Sequence, residues 1–199
     1  AGRESRSVVV TGASGFVGAN LVSAFLERDR SVRALACGAA PSLDGLTLER
    51  VPGDLFAPGL SEAMRGCDAV FHVAATYSLW RRERAEVMRA NVEGTRLVLG
   101  AARRAGVARV VHTSSVAAIG VRADGEPADE TYQSAPGDLI GAYKRSKYEA
   151  EREVARAVAA GQDVVIVNPT TPIGPWDAKP TPTGEIVVRF CTGRMPAYV

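Results

Sequence analysis

Tyr143 and Lys147 stand four positions apart in GAYKRSK (141–147), and the continuation YEAEREVARAVAA has a helical composition. At that spacing both side chains lie on one helical face. A phenol with an ordinary pKa of about 10 is a poor base at neutral pH, and a neighbouring ammonium that stabilises its anion would make it a usable acid or base. Taken alone, such a pair is more often a packed ring beside a solvated charge, on a helix that also carries Lys144, Arg145, Glu149, Glu151 and Arg152. Two upstream features weigh towards chemistry. Ser115 ends the apolar run RVVHTSS (109–115), where its hydroxyl could polarise a reacting oxygen. Gly12, Gly15 and Gly18, in VVVTGASGFVGANL, lie where an apolar run gives way to a helical pattern. Glycine there permits a tight turn and close approach of backbone to a pyrophosphate, and a helix N-terminus favours the anion, so the triplet reads as a dinucleotide cradle.

The elements that must position these residues are legible as alternation. Six short apolar runs, SVVV, VRALA, LERVP, AVFHVAA, RVVHTSS and DVVIVNP, are separated by helical patterns over 15–28, 58–65, 83–105 and 142–160. Strands alternating with helices predict an α/β fold with a parallel sheet, and the absence of period-two alternation predicts strands covered on both faces. Two stretches rich in Gly, Pro and polar residues, 120–141 and 169–184, each follow a strand and are expected beside the ligand crevice at the carboxyl ends.

Composition narrows the partners. The 24 basic and 22 acidic residues of the 199 are interspersed, which argues against a nucleic-acid surface and for a small-molecule substrate. Cys37, Cys67 and Cys191 are odd in number and far apart, predicting neither disulfides nor a zinc site and fitting a cytoplasmic protein. No apolar run approaches the roughly 18 residues of a membrane span.

TGASGFVG (11–18), GDL (53–55), FHVAA (71–75), NVEGT (91–95), HTSS (112–115), YKRSK (143–147) and NPTTPIGP (168–175) occur in an order that resembles the extended short-chain dehydrogenase/reductases. Within them the chain resembles the NAD-dependent epimerase/dehydratases, and NPTTPIGPWDAKPTPTG with GRMPAYV is similar to the hopanoid-associated sugar epimerases. The resemblance implies a Rossmann-like doubly wound sheet over 1–168 and the start of a substrate-binding lobe over 169–199, most of that lobe being expected beyond this segment. It implies that Gly12, Gly15, Phe16, Val17 and Gly18 hold the pyrophosphate, that Asp54 and Leu55 flank the adenine, and that Ala74, Ala75 and Pro169 line the cofactor. It further implies a catalytic set of Asn91, Ser115, Tyr143 and Lys147. In that set Ser115 rather than Ser114 carries the hydroxyl, Lys147 also reaches the nicotinamide ribose, and Asn91 fixes a helix and a water. Family members pair the helices 83–105 and 142–160 into a dimer contact, so a homodimer is expected.

The cofactor is NAD or NADP. An acid at the end of the second strand would select NAD and an arginine NADP, yet RALACGAAPS (33–42) places Ala36 and Cys37 there, with no acid before Asp44 and no base between Arg33 and Arg50. The missing phosphate clamp tilts the expectation to NAD. Three functions compete: a sugar epimerase or dehydratase that recycles its cofactor, a dihydroflavonol reductase-like enzyme that consumes NADPH, and a non-catalytic nucleotide sensor. His72 and His112, inside apolar runs, read as satisfied core histidines rather than bases. Trp80 and Trp176 are candidates for the substrate mouth.

Overall fold

The structure, a computed structural model, describes residues 7–195 apart from Leu79, Gln133 and Lys179. The opening AGRESR and the last four residues of GRMPAYV lie outside the described residues.

The six apolar runs form six strands: β1 Ser7–Thr11, β2 Ser31–Ala36, β3 Glu49–Pro52, β4 Ala69–His72, β5 Arg109–Thr113 and β6 Val164–Val167. Their valines and isoleucine suit a pleated, covered surface. All pair in parallel, in the order β3-β2-β1-β4-β5-β6. The chain winds outward from β1 in one direction and from β4 in the other, so a crevice opens at the carboxyl ends where the two halves part. This is the doubly wound sheet expected from the sequence.

Helices cover both faces. On one side α1, Phe16–Leu26, packs Val22 against Val8, Val10 and Val32. On the other lie α2 Leu60–Met64, α3 Arg84–Met88, α4 Gly94–Ala105 and, beyond the short α5 Val116–Ile119, α6 Ala142–Ala159. There Val98 of α4 and Val154 of α6 meet Val9, Val70 and Val110. Those three strand valines are fully buried, each stabilising the centre of the sheet by about 1.5–3 kcal/mol. The site therefore stands on the best-packed strands. A last helix, α7, spans Pro182–Cys191.

Three expectations need correction. The helix expected over 83–105 is not uniform: α3 and α4 are joined by a π-helical turn, Arg89–Glu93, in which Asn91 is buried. Cover on both faces fails at the edge strand β6, where Val165 and Val167 are exposed. The loop 120–141 does not line the crevice. It folds back on itself because Leu139 is buried and Ser134 Oγ donates to the Ile119 carbonyl at 2.6 Å. Among the described residues no helix is long and apolar enough to cross a membrane.

Candidate functional site

At the carboxyl ends of the strands lies a cleft of about 920 Å³. Gly12, Gly15, Phe16, Val17, Gly18, Asp54, Leu55, Ala74, Ala75, Ser115, Tyr143, Lys147 and Pro169 all line it.

The glycine turn is dictated by space. Gly12 has φ +67°, and a Cβ there would meet the Ala74 backbone at 2.7 Å. A Cβ on Gly18 would lie 2.1 Å from the Gly12 carbonyl oxygen. These two positions bring β1, β4 and α1 together with no atom to spare. Gly15 caps α1 without a side-chain hydrogen bond, and no acid occupies the first turn. The unpaired N–H groups of that turn form a positive rim suited to a phosphate. The loop after β6 lies over the same end: Asn20 Nδ2 donates to Phe16 O at 2.9 Å and to Pro175 O at 2.8 Å.

The other end of the cleft gathers the proton-transfer candidates. Ser115 caps α5, its Oγ accepting from Ala117 N at 3.1 Å. Asn168 Nδ2 braces it by donating to the Ser115 carbonyl at 3.1 Å and to Glu151 Oε1 at 2.8 Å. Tyr143, in the first turn of α6, stands edge-on to Tyr77 with ring centroids 4.7 Å apart. Burial raises its phenol pKa, opposed by a hydrogen bond with the Ser115 side chain. The expectation that Lys147 would favour the phenolate is not met in this geometry. The ammonium is turned under the strand and donates to the Thr113 carbonyl at 2.9 Å. Tyr143 is thus held as a neutral phenol.

Burial lowers the Lys147 pKa to about 8, against a smaller opposing effect of Glu151. The folded protein releases this proton near pH 8, whereas the unfolded chain holds it to about 10.4. Between those values the unfolded chain binds more protons, so this group makes stability rise with pH. The full difference is about 3 kcal/mol. Urea unfolding of wild type and Lys147→Met should therefore diverge from pH 7 to pH 10, the wild type gaining stability relative to the variant. Parallel pH dependences would exclude a buried, perturbed ammonium.

Asn91 is the one expected site residue that the cleft does not expose. Its amide clamps residue 76, Oδ1 accepting from Thr76 N at 2.8 Å and Nδ2 donating to Thr76 O at 2.9 Å. Nδ2 also donates to Ser146 Oγ at 2.8 Å, and Ser146 Oγ donates to the Tyr143 carbonyl at 2.7 Å. Asn91 therefore reaches Tyr143 through Ser146. Thr76, Ser146 and Asn168 were missed in the sequence, where only a polar residue inside an otherwise packed face could have pointed to them. Of the two histidines, His72 is hydrogen-bonded at both ring nitrogens, as a core histidine should be. His112 departs from that reading, since neither nitrogen has a partner among the described residues. Trp80 and Trp176 are exposed and do not line the cleft.

Where β2 ends, Ala36 and Cys37 line the cleft directly beside Gly53 and Asp54. The Cys37 thiol donates to Gly53 O at 3.1 Å, and burial followed by the Asp54 charge pushes its pKa up. Leu55 is seated on Gly94, where a Cβ would come within 2.9 Å of Leu55 Cδ1. Arg33 is committed to Glu49 at 2.8 Å, and Arg50 to Asp44 at 3.1 Å. Neither arginine lines the cleft.

A doubly wound parallel sheet with a glycine cradle at its switch point is the architecture of a dinucleotide-binding α/β fold. The chain belongs to the NAD dependent epimerase/dehydratase family, whose model matches residues 8–191. A Synechocystis sp. protein provisionally named a dihydroflavonol 4-reductase is 57% identical over 192 residues, which cover 96% of this chain and 56% of the relative. The crystal structure of gox2253 is similar at TM-score 0.89 and 45% identity, over 96% of this chain and 59% of that one. MoeE5 in complex with UDP-glucose and NAD is similar at TM-score 0.70 and 29% identity, over 80% of this chain and 52% of that one. The chain thus spans little more than half the length of these relatives.

Proposed function

We propose that this chain carries the cofactor-binding and proton-transfer part of an NAD(P)-dependent oxidoreductase that interconverts a carbonyl and a carbinol. The observation that carries the reading is the meeting of Ser115, Tyr143 and Lys147 at the end of β5, in the cleft onto which the glycine turn opens. The cradle suits the cofactor because Gly12 and Gly18 leave no room for side chains and the first turn of α1 offers free N–H groups. When bound, the nicotinamide supplies or accepts the hydride. Ser115 Oγ donates to the substrate oxygen and polarises it. Tyr143 gives its proton to that oxygen as the carbonyl carbon gains hydride, completing the carbinol. On cofactor binding, Lys147 would exchange the Thr113 carbonyl for the ribose hydroxyls, and only then would its charge help to stabilise the phenolate left on Tyr143. Asn91 positions the helix.

A neutral phenol can donate a proton, and net reduction of a ketone is in line with the name of the Synechocystis relative. A second reading, the sugar epimerase or dehydratase first expected, has support from the likeness to MoeE5 with its UDP-glucose. The two separate by absorbance of the reduced nicotinamide during turnover. Steady consumption is expected for the reductase, and product without net change of cofactor would establish the epimerase. For the cofactor we favour NAD, because Arg33 and Arg50 are paired with Glu49 and Asp44 and neither lines the cleft, and Arg89, which does line it, lies over the Phe56 ring. Titration with both nucleotides tests this, and tighter NADP binding would overturn it. The same reading places the protein in the cytoplasm, in keeping with three free cysteines, and as a homodimer. A monomeric mass in light scattering would remove the dimer.

A further inference from the structure

One register row crosses the sheet beneath the cleft: Thr11 of β1, His72 of β4 and His112 of β5 are adjacent partners. All three are buried. For a neutral ring, the hydrogen bonds around His72 admit a single arrangement of protons. Thr95 Oγ1 lies 2.6 Å from the Asn91 carbonyl oxygen, which can only accept, so the one hydroxyl proton of Thr95 is committed there. The His72 Nε2 contact to Thr95 Oγ1, at 3.0 Å, must then be a donation from Nε2–H. Thr11 Oγ1 accepts from Ala74 N at 3.3 Å and stands 2.8 Å from His72 Nδ1. A neutral ring protonated at Nε2 accepts there, and the Thr11 proton completes the bond. All bonds point one way, from Ala74 N–H through Thr11, His72 and Thr95 to the Asn91 carbonyl. From the Asn91 amide they continue through Ser146 to the Tyr143 carbonyl.

We propose that His72 is a positioning residue, locked as the neutral Nε2–H tautomer, through which the nucleotide cradle and the helix bearing Tyr143 are held in register. Its functional part rests on the oxidoreductase reading. Ala74 is the residue against which Gly12 packs, so one end of the chain sits in the cradle. Asn91 occupies the π-helical turn, and the Thr95 hydroxyl taking up its carbonyl accompanies the departure from regular helix. A cationic ring would turn Nδ1 from acceptor to donor and reverse the Thr11 link. The titratable groups facing His72 are His112 on β5 and Lys147 on α6, while β1 and α4 offer only Thr11 and Thr95. Burial first, then these two groups, oppose protonation.

The chain has only two histidines, so nitrogen-15 NMR of histidine-labelled protein, assigned with His112→Phe, reads the ring of His72 directly. The expected result for His72 is a non-titrating ring, protonated at Nε2 and accepting at Nδ1, from pH 5 to 8. A ring protonated at Nδ1, or one that titrates in that range, overturns the lock whether or not the protein has the proposed activity. In turnover, His72→Leu is expected to lower kcat by up to about 10²-fold, the scale of a displaced catalytic group. His72→Gln, whose amide keeps a donor and an acceptor, should recover most of that loss. Thr95→Val tests the same link if His72→Leu does not fold. Equal kcat for wild type and Thr95→Val, or no difference between the Leu and Gln variants, overturns the positioning role. A wild type that binds nucleotide but turns over no carbonyl or carbinol substrate would instead count against the oxidoreductase reading.

Discussion

Tyr143→Phe is expected to lower kcat by about 10²- to 10⁴-fold, the range of a lost general acid or base, and to leave nucleotide affinity unchanged. The substitution removes one oxygen and nothing that packs. The ring keeps its edge-on contact with Tyr77, and Ser146 still reaches the main-chain carbonyl of residue 143. Ser115 loses a side-chain partner but retains its donor from Ala117 N and the brace from Asn168. A fall in turnover with unchanged binding and unchanged unfolding midpoint therefore isolates proton transfer. Turnover equal to wild type in Tyr143→Phe would remove the tyrosine from the mechanism altogether. The pH profile gives an independent check on its role. Because burial raises the phenol pKa, carbonyl reduction should persist through neutral pH and decline only on the alkaline side. An acid-side loss in the free enzyme would point to a different donor.

What the sequence made legible follows from what its local chemistry determines. The six strands and their parallel pairing follow from valine-rich runs alternating with helical patterns, because parallel strands buried on both faces need such runs and crossover helices between them, whereas the doubly wound order came from the family resemblance. The glycine triplet was legible because each position answers a backbone requirement. The π-helical turn was not, since its buried Asn91 is held by hydrogen bonds with residues well separated in sequence, Thr76 and Ser146. The direction of the Tyr143 shift was missed for a similar reason. Spacing places Lys147 on the same face of α6, but its long side chain takes the Thr113 carbonyl of β5, a partner that only the packed sheet supplies. His112 looked like any core histidine, and that its nitrogens lack partners among the described residues belongs to the tertiary arrangement alone.

The glycine triplet predicts a separation between folding and binding that alanine substitutions can measure. At Gly18 a Cβ would sit 2.1 Å from the Gly12 oxygen, which is backbone and cannot swing aside, so α1 must move away from β1. Overpacking of this kind costs about 1–3 kcal/mol, and Gly18→Ala should lower the unfolding free energy by that amount. The displaced helix N-terminus should also bind nucleotide more weakly, by about 10- to 100-fold at 1.4 kcal/mol per tenfold. Gly15 differs. Its φ of −78° suits any residue, and its nearest contact would be 3.3 Å, again to Gly12 O. Gly15→Ala should change the unfolding free energy by no more than about 1 kcal/mol in either direction, the restriction that alanine places on the unfolded chain being offset by this tight contact. Its methyl group would nevertheless stand at the rim of the cleft where backbone must approach the pyrophosphate, so affinity should still fall. Urea unfolding and nucleotide titration of the two variants give both quantities. Gly15→Ala with full affinity would mean that the anion does not sit on this turn, and Gly18→Ala with wild-type stability would mean that β1 and α1 are not in the close contact described.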